Sequence, residues 1–222
     1  ASSAMVASTL VLQGRYGGSL EWSTRALEVA RQIQSLPAVR SAMASRLIAR
    51  AVLGEGRARG DALDALSGGL LTVGDLGLTI DQILAALLTL GELERAQAIT
   101  ELYAARAGGR LREARVALIR GEIGILRCQV TGCGAPVEKN LRDAIELGSA
   151  IGVRSVVGRA ELALARVARS RGQRKKSLAS AREAAAIFAA LGLGHYLSAA
   201  TALLEEPEPP LRATADELGA LS

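Results

Sequence analysis

From Gly14 to Ala30 the chain reads GRYGGSLEWSTRALEVA, and from Gly91 to Ile99 it reads GELERAQAI. Both stretches follow one order: a glycine, a tyrosine or leucine two residues on, and a small residue three beyond that. A glycine can adopt the left-handed conformation that ends one helix and turns the chain into the next, and a small residue five positions later lets that second helix lie close to its neighbours. Glycines in this setting recur at Gly14, Gly56, Gly91, Gly132 and Gly172, spaced 42, 35, 41 and 40 residues apart. Five residues after four of them come Ser19, Ala96, Val137 and Ser177, and twelve after three of them come Ala26, Ala144 and Ala184. A period in this range predicts an array of helix pairs. The second unit departs from the pattern, because Asp61 and Gly68 occupy its two small-residue positions.

Working outward, the periodicity predicts first helices near residues 1–13, 38–54, 77–90, 111–130 and 154–170, with partners near 18–33, 60–70, 94–107, 136–149 and 175–191. Alternating runs of β-branched residues are missing, so no sheet is expected. A last helix near Tyr196 to Leu204 is expected to cover the open apolar end, before Pro207, Pro209 and Pro210 stop it. Residues 1–204 thus form the repeat domain, and residues 205–222 a Pro/Glu linker with a short tail. The chain starts at Ala1 without an initiator methionine, which fits a piece of a longer protein.

Composition narrows the function classes. Half of the 222 residues are apolar and 22% are charged, but only 2% are aromatic, so thin repeated layers are expected in place of one thick core. The longest apolar stretch, Ile83 to Leu90, falls short of the roughly 20 residues that span a bilayer, and a cytoplasmic chain that binds no membrane is expected. Cys128 and Cys133 lie in one short segment, far from the single histidine, His195, so no metal site or redox motif is expected. No nucleophile turn or acid–base constellation assembles either, and the chain reads as neither an enzyme nor a cofactor binder. The acidic pairs Asp61 with Asp64 and Glu92 with Glu94 sit at helix starts, where they complement the helix dipole. The glycine pairs at 17–18, 68–69 and 108–109 lack the strand that a dinucleotide site needs.

These repeats, together with the stretch RAELALARVARSRGQRKKSLASAREAAAIFAALG from Arg159 onward, resemble the tetratricopeptide superhelix of large ATP-dependent bacterial regulators, the family that includes the maltose-responsive transcription activator. The resemblance covers residues 1 to about 204. It implies an all-α, tetratricopeptide-like right-handed solenoid of about five helix pairs plus a capping helix. It also implies a sensor module between an upstream nucleotide-binding switch and a downstream DNA-binding unit. This chain contains neither a phosphate-cradling G-x-x-x-x-G-K-S/T loop nor a recognisable helix-turn-helix.

Charge points to a candidate surface. Residues 152–182 hold nine basic residues and a single acid, Glu161. Arg159, Arg166 and Arg169 are spaced to share one helix face, the face that in the tetratricopeptide pattern lines the concave groove. Arg46 and Arg50 take similar positions in the second unit, and Asp81 and Glu122 in the third and fourth. With no acid of their own helix on that side, the three arginines are expected to attract an anion or an acidic segment, the chain's own tail (Glu205, Glu206, Glu208, Asp216, Glu217) included. Aromatic stacking platforms are missing from the basic segment, which disfavours nucleic acid as a partner. Asn140, the only asparagine, does not stand beside these positions, so the peptide-carboxylate clamp of some tetratricopeptide domains is not expected. The resulting expectation is a non-catalytic sensor or binding module for a protein or small-molecule effector. The alternatives are a freestanding protein adaptor and a basic nucleic-acid binder.

Overall fold

A computed structural model describes residues 2–55, 77–105, 108–128 and 134–205. Every regular element among them is an α-helix. In chain order they are α1 (Ser2–Leu12), α2 (Tyr16–Gln32), α3 (Leu36–Leu53), α4 (Gly77–Thr89), α5 (Leu93–Ala104), α6 (Arg110–Arg127), α7 (Ala135–Ala150), α8 (Arg154–Ser170), α9 (Arg174–Leu191) and α10 (Gly194–Glu205). The helix expected near 60–70, with Asp61, Asp64 and Gly68, lies outside the described residues, as do Gly56, Gly132, Cys133 and the tail beyond Glu205.

One turn is used repeatedly. At Gly14, Gly91 and Gly172 the backbone has positive φ, and two hydrogen bonds close the preceding helix. At the first of them, Gly14 N–H donates to Val11 O and Arg15 N–H to Leu10 O. Gly54, Gly152 and Gly192 repeat the same pair of bonds. This is the Schellman arrangement, in which left-handed backbone satisfies the orphan carbonyls of a helix end. Between α2 and α3 the same geometry is carried by Gln34, at φ 52°, the only non-glycine residue with positive φ among those described. There Pro37 sits in the first turn of α3, where its missing N–H costs nothing, and α3 starts two residues earlier than the periodicity predicts.

The small residues of the pattern are buried. Ser19, Ala96, Ala144, Ala184 and Ser177 are inaccessible, and Ala26 and Val137 nearly so. Further glycines bring helices closer still: a Cβ on Gly124 of α6 would stand 2.6 Å from Val137 of α7, and one on Gly158 of α8 would stand 2.9 Å from Phe188 of α9. Consecutive helices pack against one another, and α1 also touches α3, α6 touches α8, and α8 touches α10. The core is accordingly divided into four clusters along the chain. The largest runs from α1 through α3, α4 and α5 to α6, and the last gathers Leu162, Ile187, Phe188 and Leu193.

The last helix does more than cover α9. Gly194 stands so close to the first turn that a Cβ there would lie 2.9 Å from Gln13 O, and His195 packs on Gly14. Leu12 joins the cluster around Phe188 and Tyr196. The two ends of the described array therefore meet.

Candidate functional site

Because the ends meet, the inward surface becomes a cavity of about 340 Å³. Branched aliphatic side chains from α1, α3, α4 and α6 form most of its wall, among them Val11, Ile48, Val52, Leu88, Ile125 and Leu126. Its polar groups are Asp81, Gln82 and Thr89 on α4, Arg115 and Glu122 on α6, Ser155, Arg159 and Arg166 on α8, and Tyr16, His195 and Tyr196 where the ends meet.

These groups form a ladder of paired charges. Arg115 Nε lies 3.2 Å from Asp81 Oδ2, linking α6 to α4. Arg159 grips Glu122 with a fork, Nε to Oε1 at 3.2 Å and Nη2 to Oε2 at 2.7 Å, linking α8 to α6. The forked geometry is the strong form of a guanidinium–carboxylate contact. The guanidinium of Arg159 also stands 5.7 Å from the Tyr196 ring centroid, which carries the ladder on to α10. Tyr196 stacks on Phe188 at 5.2 Å and meets His195 edge-on, and His195 meets Tyr16 at 5.4 Å. Deeper in the core, Ser45 Oγ donates to Gln82 Oε1 at 3.2 Å and bonds Ser8 Oγ at 2.9 Å, tying α4, α3 and α1 together.

Burial and these neighbours set the protonation states. Burial pushes the Asp81 carboxyl upward, and the positive charges of Arg159 and Arg115 hold it back in part. Burial opposes the charge on Arg159, but Glu122, Tyr196 and Asp81 outweigh it and keep the guanidinium protonated. Both phenols are pushed up, chiefly by burial, so Tyr16 and Tyr196 remain hydrogen-bond donors. The His195 imidazole goes the other way: partial desolvation between the tyrosine rings, then the charge of Arg166, lower it below its ordinary value.

Of the residues picked out from the sequence, Asp81, Glu122, Arg159 and Arg166 line this one cavity. Arg46, Arg50 and Arg169 are half-buried outside its lining, and Arg50 lies 3.1 Å from Glu55. The acid facing Arg159 stands on the neighbouring helix, 37 residues back, so the three arginines do not form an unmatched basic face. Tyr16, His195 and Tyr196 were not recognisable as site residues, since their convergence depends on how the ends meet, and Arg115 was not because its partner Asp81 stands on another helix. Among the described residues no group of three or more His, Cys, Asp or Glu converges, and no helix is long and apolar enough to cross a membrane.

Set against protein-family models, curated proteins and solved structures, the chain matches none.

Proposed function

We propose that the chain is a non-catalytic binding or sensor module of a larger cytoplasmic bacterial signalling or transcription regulator, built as a tetratricopeptide-like right-handed solenoid, and that it takes an effector in its central cavity. The observation that carries this reading is the cavity itself. Its 340 Å³ falls within the range of roughly 300–1,000 Å³ usual for small-molecule sites, and it combines aliphatic walls with a few convergent polar groups. Its lining comes from both ends of the array. An occupant touching Tyr16 and Tyr196 bridges the first and last helix pairs, so binding biases the closed arrangement over an open one. A ligand shifts such an equilibrium only by its differential affinity for the two states, and contacts spanning the junction supply that difference.

A second reading is a protein adaptor. It is favoured by the exposed apolar side chains of the first three helices and their turns, Met5, Trp22, Val29, Ile33 and Leu36. The two readings separate in a ligand-observed NMR screen of a small-metabolite library against the wild-type chain and an Ala85→Phe variant, whose larger side chain fills the cavity. The effector reading expects compounds that bind the wild type and are lost from the filled variant. Hits that are indifferent to the filling, or no hits at all, would count against it and leave the exposed apolar residues of the first helices as the better candidate.

A further inference from the structure

Which of the cavity's charges are already matched indicates the chemistry of its occupant, an inference that rests on the effector reading above. Glu122 is taken by the fork of Arg159, and Asp81 faces Arg115. Arg166 stands two turns further along α8 than Arg159, lines the same cavity, is exposed, and has no hydrogen-bond or ion-pair partner among the described residues. Three guanidinium groups against two carboxylates leave one positive charge, and it resides on Arg166. Tyr196 and His195 line the same cavity on the side where the ends meet, and the phenol there is a donor. The remaining wall is mainly aliphatic, with the uncharged Tyr16, Gln82, Thr89 and Ser155 among it.

We infer that the cavity takes a small aliphatic monocarboxylate, with its chain against Ile48, Val52, Leu88 and Leu126 and its carboxylate on Arg166 beside Tyr196. A cation would compete with Arg115 and Arg159 for carboxylates that are already matched. A dianion would exceed the single unmatched charge and face Asp81 and Glu122 across the cavity. A neutral apolar molecule would pack on the aliphatic side chains but gain nothing from the unmatched charge of Arg166.

The test uses the full chain with labelled methyl groups and three probes: octanoate, 1-octanol and inorganic phosphate. Octanoate is expected to shift the methyl signals of Ile48, Val52 and Leu88 and to bind at least about tenfold more tightly than 1-octanol, the factor that a hydrogen bond to a charged group supplies. Arg166→Gln is expected to abolish that advantage while leaving the 1-octanol affinity unchanged. Because Arg166 is exposed, the variant retains its fold, which an unchanged thermal melt checks. Phosphate alone is expected to leave these methyl signals in place. Equal affinity for octanoate and 1-octanol, or an octanoate advantage that survives Arg166→Gln, overturns the inference while an uncharged effector still suits the cavity. No shift with either eight-carbon probe overturns it too, and the effector reading then stands or falls on the metabolite screen.

Discussion

Ser19 and Ser177 occupy the same register of two different units, five residues after the turn glycine, and both are inaccessible to water. Their hydroxyls have opposite fates. Ser19 Oγ donates to Ala7 O at 2.9 Å, binding α2 to α1, whereas Ser177 Oγ is buried with no hydrogen-bond partner among the described residues. A buried hydroxyl with a partner contributes about 1 kcal/mol, and one without a partner costs a similar amount. Ser19→Ala is therefore expected to lower stability by about 1 kcal/mol, and Ser177→Ala to leave it unchanged or raise it by up to about 1 kcal/mol. Urea unfolding of the two variants measures both, and equal losses would show that the hydroxyls play no distinct roles. The sequence made the size of these positions legible, because close helix packing demands a small residue. It could not reveal the hydroxyl's partner, which depends on which carbonyl of another helix comes opposite.

Helices were legible for a related reason. Gly14, Gly91 and Gly172 end helices in a conformation that ordinary residues resist, so the chain marks its own boundaries there. The turn at Gln34 carries no such mark, and the starts of both α2 and α3 lie two residues before the positions the periodicity predicts. Contacts between elements were harder to read. Helical spacing puts Arg159 and Arg166 on one face, but the partner of Arg159 comes from α6, and only the packing of α6 against α8 brings Glu122 there. The Arg159 and Glu122 side chains are 12% and 20% exposed, so removing one charge strands the other in a largely dry site. Arg159→Met should cost about 2–3 kcal/mol, somewhat less than the 3–5 kcal/mol typical of full burial. Adding Glu122→Gln to that variant should recover at least half of the loss. Chemical denaturation of the single and double variants checks this, and strictly additive costs would mean that the pair is not coupled.

The meeting of the two ends was not legible at all. It rests on Gly194 and His195 packing against Gln13 and Gly14, residues at opposite ends of the described sequence, and no motif encodes that contact. His195 stands at this junction, facing Tyr16, Tyr196 and Arg166, and its imidazole titrates below its ordinary value. The unfolded chain therefore takes up the proton first as the pH falls through about 6.5, so the contribution of His195 is present above that pH and is lost as the pH drops through the lowered folded value. Melting temperatures measured between pH 7.5 and 5 should decline more steeply for the wild type than for His195→Asn, and parallel curves would remove the histidine from the account. The proposed cavity depends on the ends meeting, since an array that opens at the junction of α10 with the first turn leaves only a groove. The most direct test is a nuclear Overhauser measurement between the ring protons of Tyr16 and His195 in the free chain. With the ring centroids 5.4 Å apart, a clear cross-peak is expected; its absence, with both rings assigned and the helices intact, would contradict the closed arrangement.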